Sequence, residues 1–294
     1  MNKKYLVVAD STTDLPADLA KEKGIITLPL KYHMGEDTFT NYLDYREQSV
    51  DIFYDLVKEG QKVTTSQLNA EDVIQALEDK VKEGYSILML TISSKLSGTF
   101  NSARLAFIDL KEKYPDQEFV LIDSKSASLG LGYIVVQAAN ALNEGKTLEE
   151  NTEFINNLIP TVAHWFTVDD INHLRRGGRI SAAASVVAKT LRIKPILHCS
   201  AEGELVSRHK ALTRKRSIKS LFDIMKETAL PNQKLAYIGH GADLEAANEL
   251  AKMIEEEYPN IEILIHSIGP VVGAHTGQGV LALFFEANKR WLNK

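Results

Sequence analysis

The chain has 294 residues, 44% of them hydrophobic and 25% charged, with a formal net charge of −5. Those fractions suit a globular protein with a full core. The acidic balance argues against general nucleic-acid binding, and a lone cysteine, Cys199, excludes an internal disulfide and fits a reducing compartment.

The first apolar run, Tyr5–Ala9, is too short for a signal peptide and ends in Asp10, so it reads as a strand. Ile25–Leu30 reads as a second strand, followed by a polar loop, Thr64-Thr65-Ser66-Gln67. Asn69–Glu83 has Val73, Leu77 and Val81 on one face and is predicted to be a helix, with Asn69 and Asp72 in the N-cap and N3 positions. Ser86–Ile92 and Glu118–Asp123 read as strands, with a helix through Ala103 and Phe107 between them. Thr147 and Glu150 form a capping-box pattern ahead of the helix Glu149–Ile159. Pro160 then marks a domain boundary, giving domains 1–160 and 161–294. The second begins with the strand Thr161–Val168. Ile193–Cys199 and Leu205–Ser207, joined through Glu202-Gly203-Glu204, read as a hairpin. Helices follow at Arg214–Thr228 and Asp243–Glu257, with strands at Leu235–Gly239, Ile261–Ile265 and Val280–Phe285. No stretch approaches the roughly 18 apolar residues of a membrane span, and the sequence reads as cytoplasmic. Strand–helix alternation implies an α/β fold with a mainly parallel sheet flanked by helices.

Ligands of open parallel sheets bind beyond the carboxyl ends of the strands. Several strand candidates end there in small polar residues: Asp10-Ser11-Thr12-Thr13, Ser93-Ser94-Lys95-Leu96-Ser97-Gly98-Thr99 and Asp123-Ser124. Capping is the competing reading for each. It is weaker for Ser66, because Asn69 already fills the cap. Ser97 could cap the next helix or offer its hydroxyl and the following N–H groups to an anion. In the second half, Leu174-Arg175-Arg176-Gly177-Gly178-Arg179-Ile180-Ser181 pairs arginines, which bind carboxylate or phosphate bidentately, with a flexible glycine turn. A solvated basic loop is the alternative. Gly269–Gly279 reads as a glycine loop whose amides, with His275, can face an oxyanion.

Other motifs fail. Gly145-Lys146-Thr147 lacks the earlier P-loop glycine (Asn140 stands there) and follows a helix. Gly277-Gln278-Gly279-Val280-Leu281-Ala282 precedes a strand instead of a helix. There is no Gly-x-Ser-x-Gly elbow. The eight scattered histidines form no His-Glu-x-x-His and there is no cysteine pair, so neither a metal nor a cofactor is expected.

Five segments together resemble the DegV family: Val8–Leu15, Thr65-Ser66-Gln67, Ser93–Thr99, Arg176–Ser181 and Gly273–Gly277. They occur in the family's order and span nearly the whole chain. The resemblance implies a two-domain α/β fold, with a mixed α/β C-terminal domain and a long-chain fatty acid lying between the domains in a buried tunnel, its tail inside a domain core. Its carboxylate would face the polar loops. The resemblance further implies a non-catalytic lipid-binding subunit of a bacterial fatty acid kinase, which presents the carboxylate to a separate ATP-using partner and then carries the acyl-phosphate. By position, Thr65, Ser66, Ser97, Gly98, Arg179, His275 and Thr276 are the implied fatty-acid-binding residues. Leu68 and Gln278 stand where members commonly have proline, which loosens both loops.

A tail of about fourteen methylenes could contribute about 11 kcal/mol before binding costs, so the tail supplies affinity and the head group orientation. Phe100, Ile134, Phe166, Val187 and Phe284 are candidates for the tunnel wall, with ordinary core the stronger reading of each. The basic cluster Arg208-His209-Lys210, Arg214-Lys215-Arg216 and Lys219 reads as a solvated face or as a dock for an acidic kinase partner. Transient membrane contact is compatible with this reading; nucleic acid is not an expected partner. The rival functions are a Ser/His acyl hydrolase or transferase using Ser97 or Ser66 with His275, and a phosphate or nucleotide binder.

Overall fold

The computed structural model describes residues 4–180 and 193–288. Its first half runs β1 (Tyr5–Asp10), α1 (Ala17–Glu22), β2 (Ile26–Leu28), β3 (Lys31–Met34), β4 (Asp37–Thr40), α2 (Val50–Lys58), β5 (Val63–Ser66), α3 (Ala70–Lys82), β6 (Ser86–Thr91), α4 (Thr99–Lys113), β7 (Phe119–Asp123), α5 (Leu129–Asn143) and α6 (Leu148–Leu158). The second half runs β8 (Val162–Thr167), α7 (Asn172–Arg176), β9 (Lys194–Cys199), β10 (Leu205–Ala211), α8 (Arg214–Thr228), β11 (Leu235–His240), α9 (Leu244–Glu257), β12 (Glu262–Ser267), α10 (Pro270–Thr276) and β13 (Leu281–Glu286). Ser181 and Val187 lie outside the described residues.

Three sheets organise these elements. β2-β1-β6-β7 is parallel throughout. Its central strand β6 is buried at every position, as expected of a strand covered by helices on both faces. β10-β9-β8-β13-β11-β12 is mixed, with only β11 and β12 parallel. β4-β3-β5 is a small antiparallel sheet. The capping boxes form as the sequence predicts, Asn69 with Asp72 and Thr147 with Glu150.

α5 joins the two halves. It carries a nearly continuous apolar run and is buried on most of its surface, as a helix without a polar face must be. It packs on β1 and β6 on one side and on β8, β11 and β13 on the other. Glycine makes that approach possible. A Cβ on Gly130 would lie 1.5 Å from His164 Nε2, and one on Gly132 would lie 2.6 Å from the Thr13 carbonyl oxygen.

The structure corrects two local readings. Thr64–Ser66 is not loop but the end of β5, paired with β3. The glycine segment after β12 is not an open loop either: Pro270–Thr276 forms α10, and only Gly277 and Gly279 beyond it take positive φ. α10 holds its shape by packing on α2, where a Cβ on Gly273 would meet Tyr54 Oη at 2.6 Å.

Candidate functional site

The polar strand ends do gather along one edge, but most of them bond to one another. Asp10 accepts from the Thr12 hydroxyl and from the backbone N–H of Thr12 and Ile92. Ser11 accepts from the Leu30 amide and from Asn41. Asp123 accepts from the Ser94 amide, and Ser124 donates to the Thr91 carbonyl. These groups are scaffold. They fix the positions of Leu30 and Ile92, both of which reach a cavity beside them.

That cavity has a volume of about 320 Å³, at the low end of the roughly 300–1,000 Å³ usual for small-molecule sites. The first half contributes Leu30, Thr65, Ser66, Gln67, Ile92, Leu96, Ser97 and Ala127 to its wall. The second half contributes Leu174, Arg179, Leu205, Val271, Val272, His275 and Thr276. One part of the lining is therefore aliphatic, and the other presents hydroxyls, an amide, an imidazole and a guanidinium. No carboxylate is found among the described lining residues.

Six of the seven residues implied by the sequence, Thr65, Ser66, Ser97, Arg179, His275 and Thr276, meet in this one wall. Gly98 stands behind it. A Cβ there would lie 2.1 Å from Gln67 Oε1, so the bare glycine admits the Gln67 side chain, which donates to Ser102 at 3.2 Å. Thr65 Oγ1 and His275 Nε2 are 2.9 Å apart. Ser66 Oγ is 2.7 Å from His33 Nε2. Ser97 Oγ contacts the Thr99 hydroxyl at 3.0 Å and accepts from its amide. Arg179 Nε donates to the Leu96 carbonyl at 3.1 Å, which ties the arginine to the Ser97 loop. Gly177 serves close packing: a Cβ there would fall 2.2 Å from His275 Nδ1.

Burial, reinforced by the positive charge of Arg179, pushes His275 down to about 4. Near neutral pH it is an uncharged imidazole, so the cationic group of the described wall is Arg179. His275 Nδ1 is buried and lacks a hydrogen-bond partner. Neither Ser97 nor Ser66 is hydrogen-bonded to His275, whose Nε2 is engaged by Thr65.

α10 delivers His275 and Thr276, and its start is anchored from the first half. Asp14, fully buried and in the left-handed region at φ 50°, accepts from Ser128 Oγ at 2.6 Å and from the Gly269 amide. His266 Nδ1 donates to its carbonyl oxygen at 3.0 Å. Tyr54 adds a bond to the Ile268 carbonyl.

The four described tunnel-wall candidates fall elsewhere. Ile134, Phe166 and Phe284 are core residues, and Phe100 is a half-buried residue of α4 outside the cavity wall. Leu68 is core too. The basic cluster divides. Arg214 bonds to Asp243 and lies 3.7 Å from Asp169, Lys219 pairs with Asp223, and Arg208 donates to His198. Arg214 is thus a half-buried ion-paired group, whereas Lys210, Lys215 and Arg216 are exposed. Among the described residues, no helix is long and apolar enough to cross a membrane, and no cluster of His, Cys, Asp and Glu could hold a metal ion.

Two signals were missed in the sequence. Gln67 was legible as part of Thr-Ser-Gln but was not separated from its neighbours. His33 carries no local signature, because its approach to Ser66 is created by strand pairing.

The fold is shared with known proteins. A DegV family protein from Thermus thermophilus, described as binding fatty acid, superposes with a TM-score of 0.87 at 28% identity, covering 97% of this chain and 99% of that one. DegV of Bacillus subtilis, described as a fatty acid binding protein, gives 0.85 at 27% identity, covering 97% and 100%. A DegV domain-containing protein of Clostridium perfringens is 40% identical over 284 residues, covering 96% of this chain and 97% of the relative. The family model described as "Uncharacterised protein, DegV family" matches residues 4–288, and the chain belongs to the DegV family.

Proposed function

We propose that this chain binds one long-chain fatty acid in the cavity. The carboxylate lies toward Thr65, Ser66, Ser97, Arg179, His275 and Thr276, and the tail along the aliphatic wall, with Gly98 acting through Gln67. The observation that carries the reading is the composition of a single wall: aliphatic along one part, donors and a guanidinium on the other, and no described carboxylate to repel an anion. A neutral His275 can donate to a carboxylate without adding a second charge. The Thermus and Bacillus proteins, both described as binding fatty acid, support the ligand class.

The finer parts belong to the same proposal. The chain divides into domains 1–160 and 161–294 with the ligand between them; lining residues from both sides of position 160 support this. It acts in the cytoplasm as a non-catalytic subunit and presents its acid to a separate fatty acid kinase. Support comes from the likeness of its motifs to the family and from a donor set numerous enough for an acyl-phosphate. Exposed Lys210, Lys215 and Arg216 offer the partner a basic contact.

Mass spectrometry of an organic extract of the purified protein tests the ligand. A fatty acid in near-stoichiometric amount is expected. A protein that carries no lipid and shows no saturation in a fluorescent fatty-acid titration would overturn the proposal. Adding a kinase subunit and ATP to loaded protein tests the presenting role separately, by the appearance of acyl-phosphate.

A further inference from the structure

His33 lies behind the cavity wall and is not part of it. In the sheet β4-β3-β5 it faces Thr38 across one pairing and Thr64 across the other. Ser66, two residues beyond Thr64, shares its side of the pleat and comes within diagonal reach. His33 Nδ1 is 2.9 Å from Thr38 Oγ1, and His33 Nε2 is 2.7 Å from Ser66 Oγ. A file of three groups thus leads from an exposed hydroxyl to the polar part of the cavity.

A serine hydroxyl has one proton and two lone pairs, so the direction of its bond to His33 decides what Ser66 shows the cavity. If Nε2 is bare, the serine proton goes to the ring and lone pairs face the ligand, where they repel a carboxylate. If Nε2 carries the proton, it donates to Ser66 Oγ and frees the serine proton for the ligand. Nδ1 is then bare, and the Thr38 hydroxyl can donate to it.

We infer that His33 is a positioning residue for the anionic head group: as the Nε2–H tautomer held by Thr38, it fixes the Ser66 side chain and turns it into a donor toward the bound carboxylate. The inference rests on the fatty-acid reading of this cavity. Nucleophile activation is the poorer account, since the third member is a neutral hydroxyl and cannot stabilise an imidazolium as a carboxylate does.

Titration of the full chain with a fluorescent fatty acid, beside a melting curve for each variant, tests the role. A hydrogen bond to a charged group corresponds to about tenfold in affinity. Ser66→Ala and His33→Leu should each weaken binding by about that factor, and the double variant should bind no worse than either single one. His33→Gln, which keeps an N–H toward Ser66, should recover most of the affinity. Thr38→Val should weaken binding by a few-fold by releasing the tautomer. Wild-type affinity in His33→Leu or Thr38→Val, or fully additive losses in the double variant, would overturn the inference. A wild-type chain that binds no fatty acid would instead sink the function on which it rests.

Discussion

Asp14 is a carboxyl sealed at the junction of the two halves, and its removal makes a quantitative prediction about stability. Burial is the main influence and pushes its pKa from an ordinary 3.8 up to about 7. The bonds from Ser128 and the Gly269 amide act against burial, and the nearby Asp10 charge adds to it. In the folded chain the neutral acid is therefore favoured over a range in which the unfolded chain is ionised. The stability this group contributes is fully present below pH 3.8 and is lost as pH rises through about 7. At about 1.4 kcal/mol per pH unit, the complete effect is on the order of 4 kcal/mol, and about 2–3 kcal/mol of it falls between pH 5 and pH 8.

Asp14→Asn removes the titration. It keeps one acceptor for Ser128 or the Gly269 amide and loses the other, a cost of about 1–3 kcal/mol that does not depend on pH. Urea unfolding of both proteins at pH 5 and pH 8 separates the two effects. The wild type should lose about 2–3 kcal/mol more than the variant over that interval, so the variant gains on it as pH rises. Histidines remote from Asp14, such as His240, contribute equally to both proteins and cancel in the difference, and His266 keeps its bond to the residue-14 carbonyl in the variant. Parallel pH dependence in the two proteins would refute the argument, since it would mean that Asp14 ionises as easily folded as unfolded.

Three further outcomes follow from the same contacts. Arg179→Ala, Ser97→Ala and His275→Ala should each weaken fatty-acid binding by about tenfold or more while moving the melting temperature little, and unchanged titrations for all three would defeat the site assignment. Gly130→Ala drives a methyl into the space held by His164 Nε2 and should destabilise the chain by about 1–3 kcal/mol, readable in denaturant midpoints. Lys215→Glu with Arg216→Glu should slow acyl-phosphate formation by an added kinase subunit and leave lipid titration unaltered; an undiminished rate would discard this face as the contact.

What was legible in the sequence was whatever is encoded locally. Val73, Leu77 and Val81 at helical spacing behind an Asn69–Asp72 capping box give α3 almost to the residue. The apolar runs of β1 and β6 are strands buried on both faces. The β4-β3-β5 sheet was not legible. Its strands are four residues long: β3 alternates, with Tyr32 and Met34 buried, but too briefly to stand out, and β4 and β5 hold one apolar residue each. α10 was hidden for the opposite reason. Its glycines read as a loop, yet only Gly273 lies inside the helix and opposes it by propensity; Gly269 and Gly277 are its caps, and Phe53 and Tyr54 pack where a Cβ on Gly273 would stand. The site residues were legible as a set only through likeness to a family, since nothing in their spacing brings Thr65 beside His275 across 210 positions.

In the proposed binding mode the head-group donors sit on element ends and the tail lies against aliphatic side chains, which divides two properties that evolution can vary independently. Ser66 ends β5, Ser97 precedes α4, and His275 and Thr276 end α10. Their positions depend on caps, strand register and the Asp14 anchor, all of which change by steps and cost stability when lost. The side chains of Leu30, Ile92, Leu96, Leu174, Leu205 and Val271 contribute volume and apolar surface, and volume-conserving exchanges among aliphatic residues usually cost less than about 1.5 kcal/mol. Chain-length preference should therefore drift through substitutions in the second group while carboxylate recognition stays fixed in the first. An exchange such as Leu205→Val should alter which acids the protein retains and leave its sensitivity to Arg179→Ala intact. Loss of carboxylate selectivity on that exchange, measured by competition between a fatty acid and its alcohol, would show that the two ends of the cavity are coupled after all.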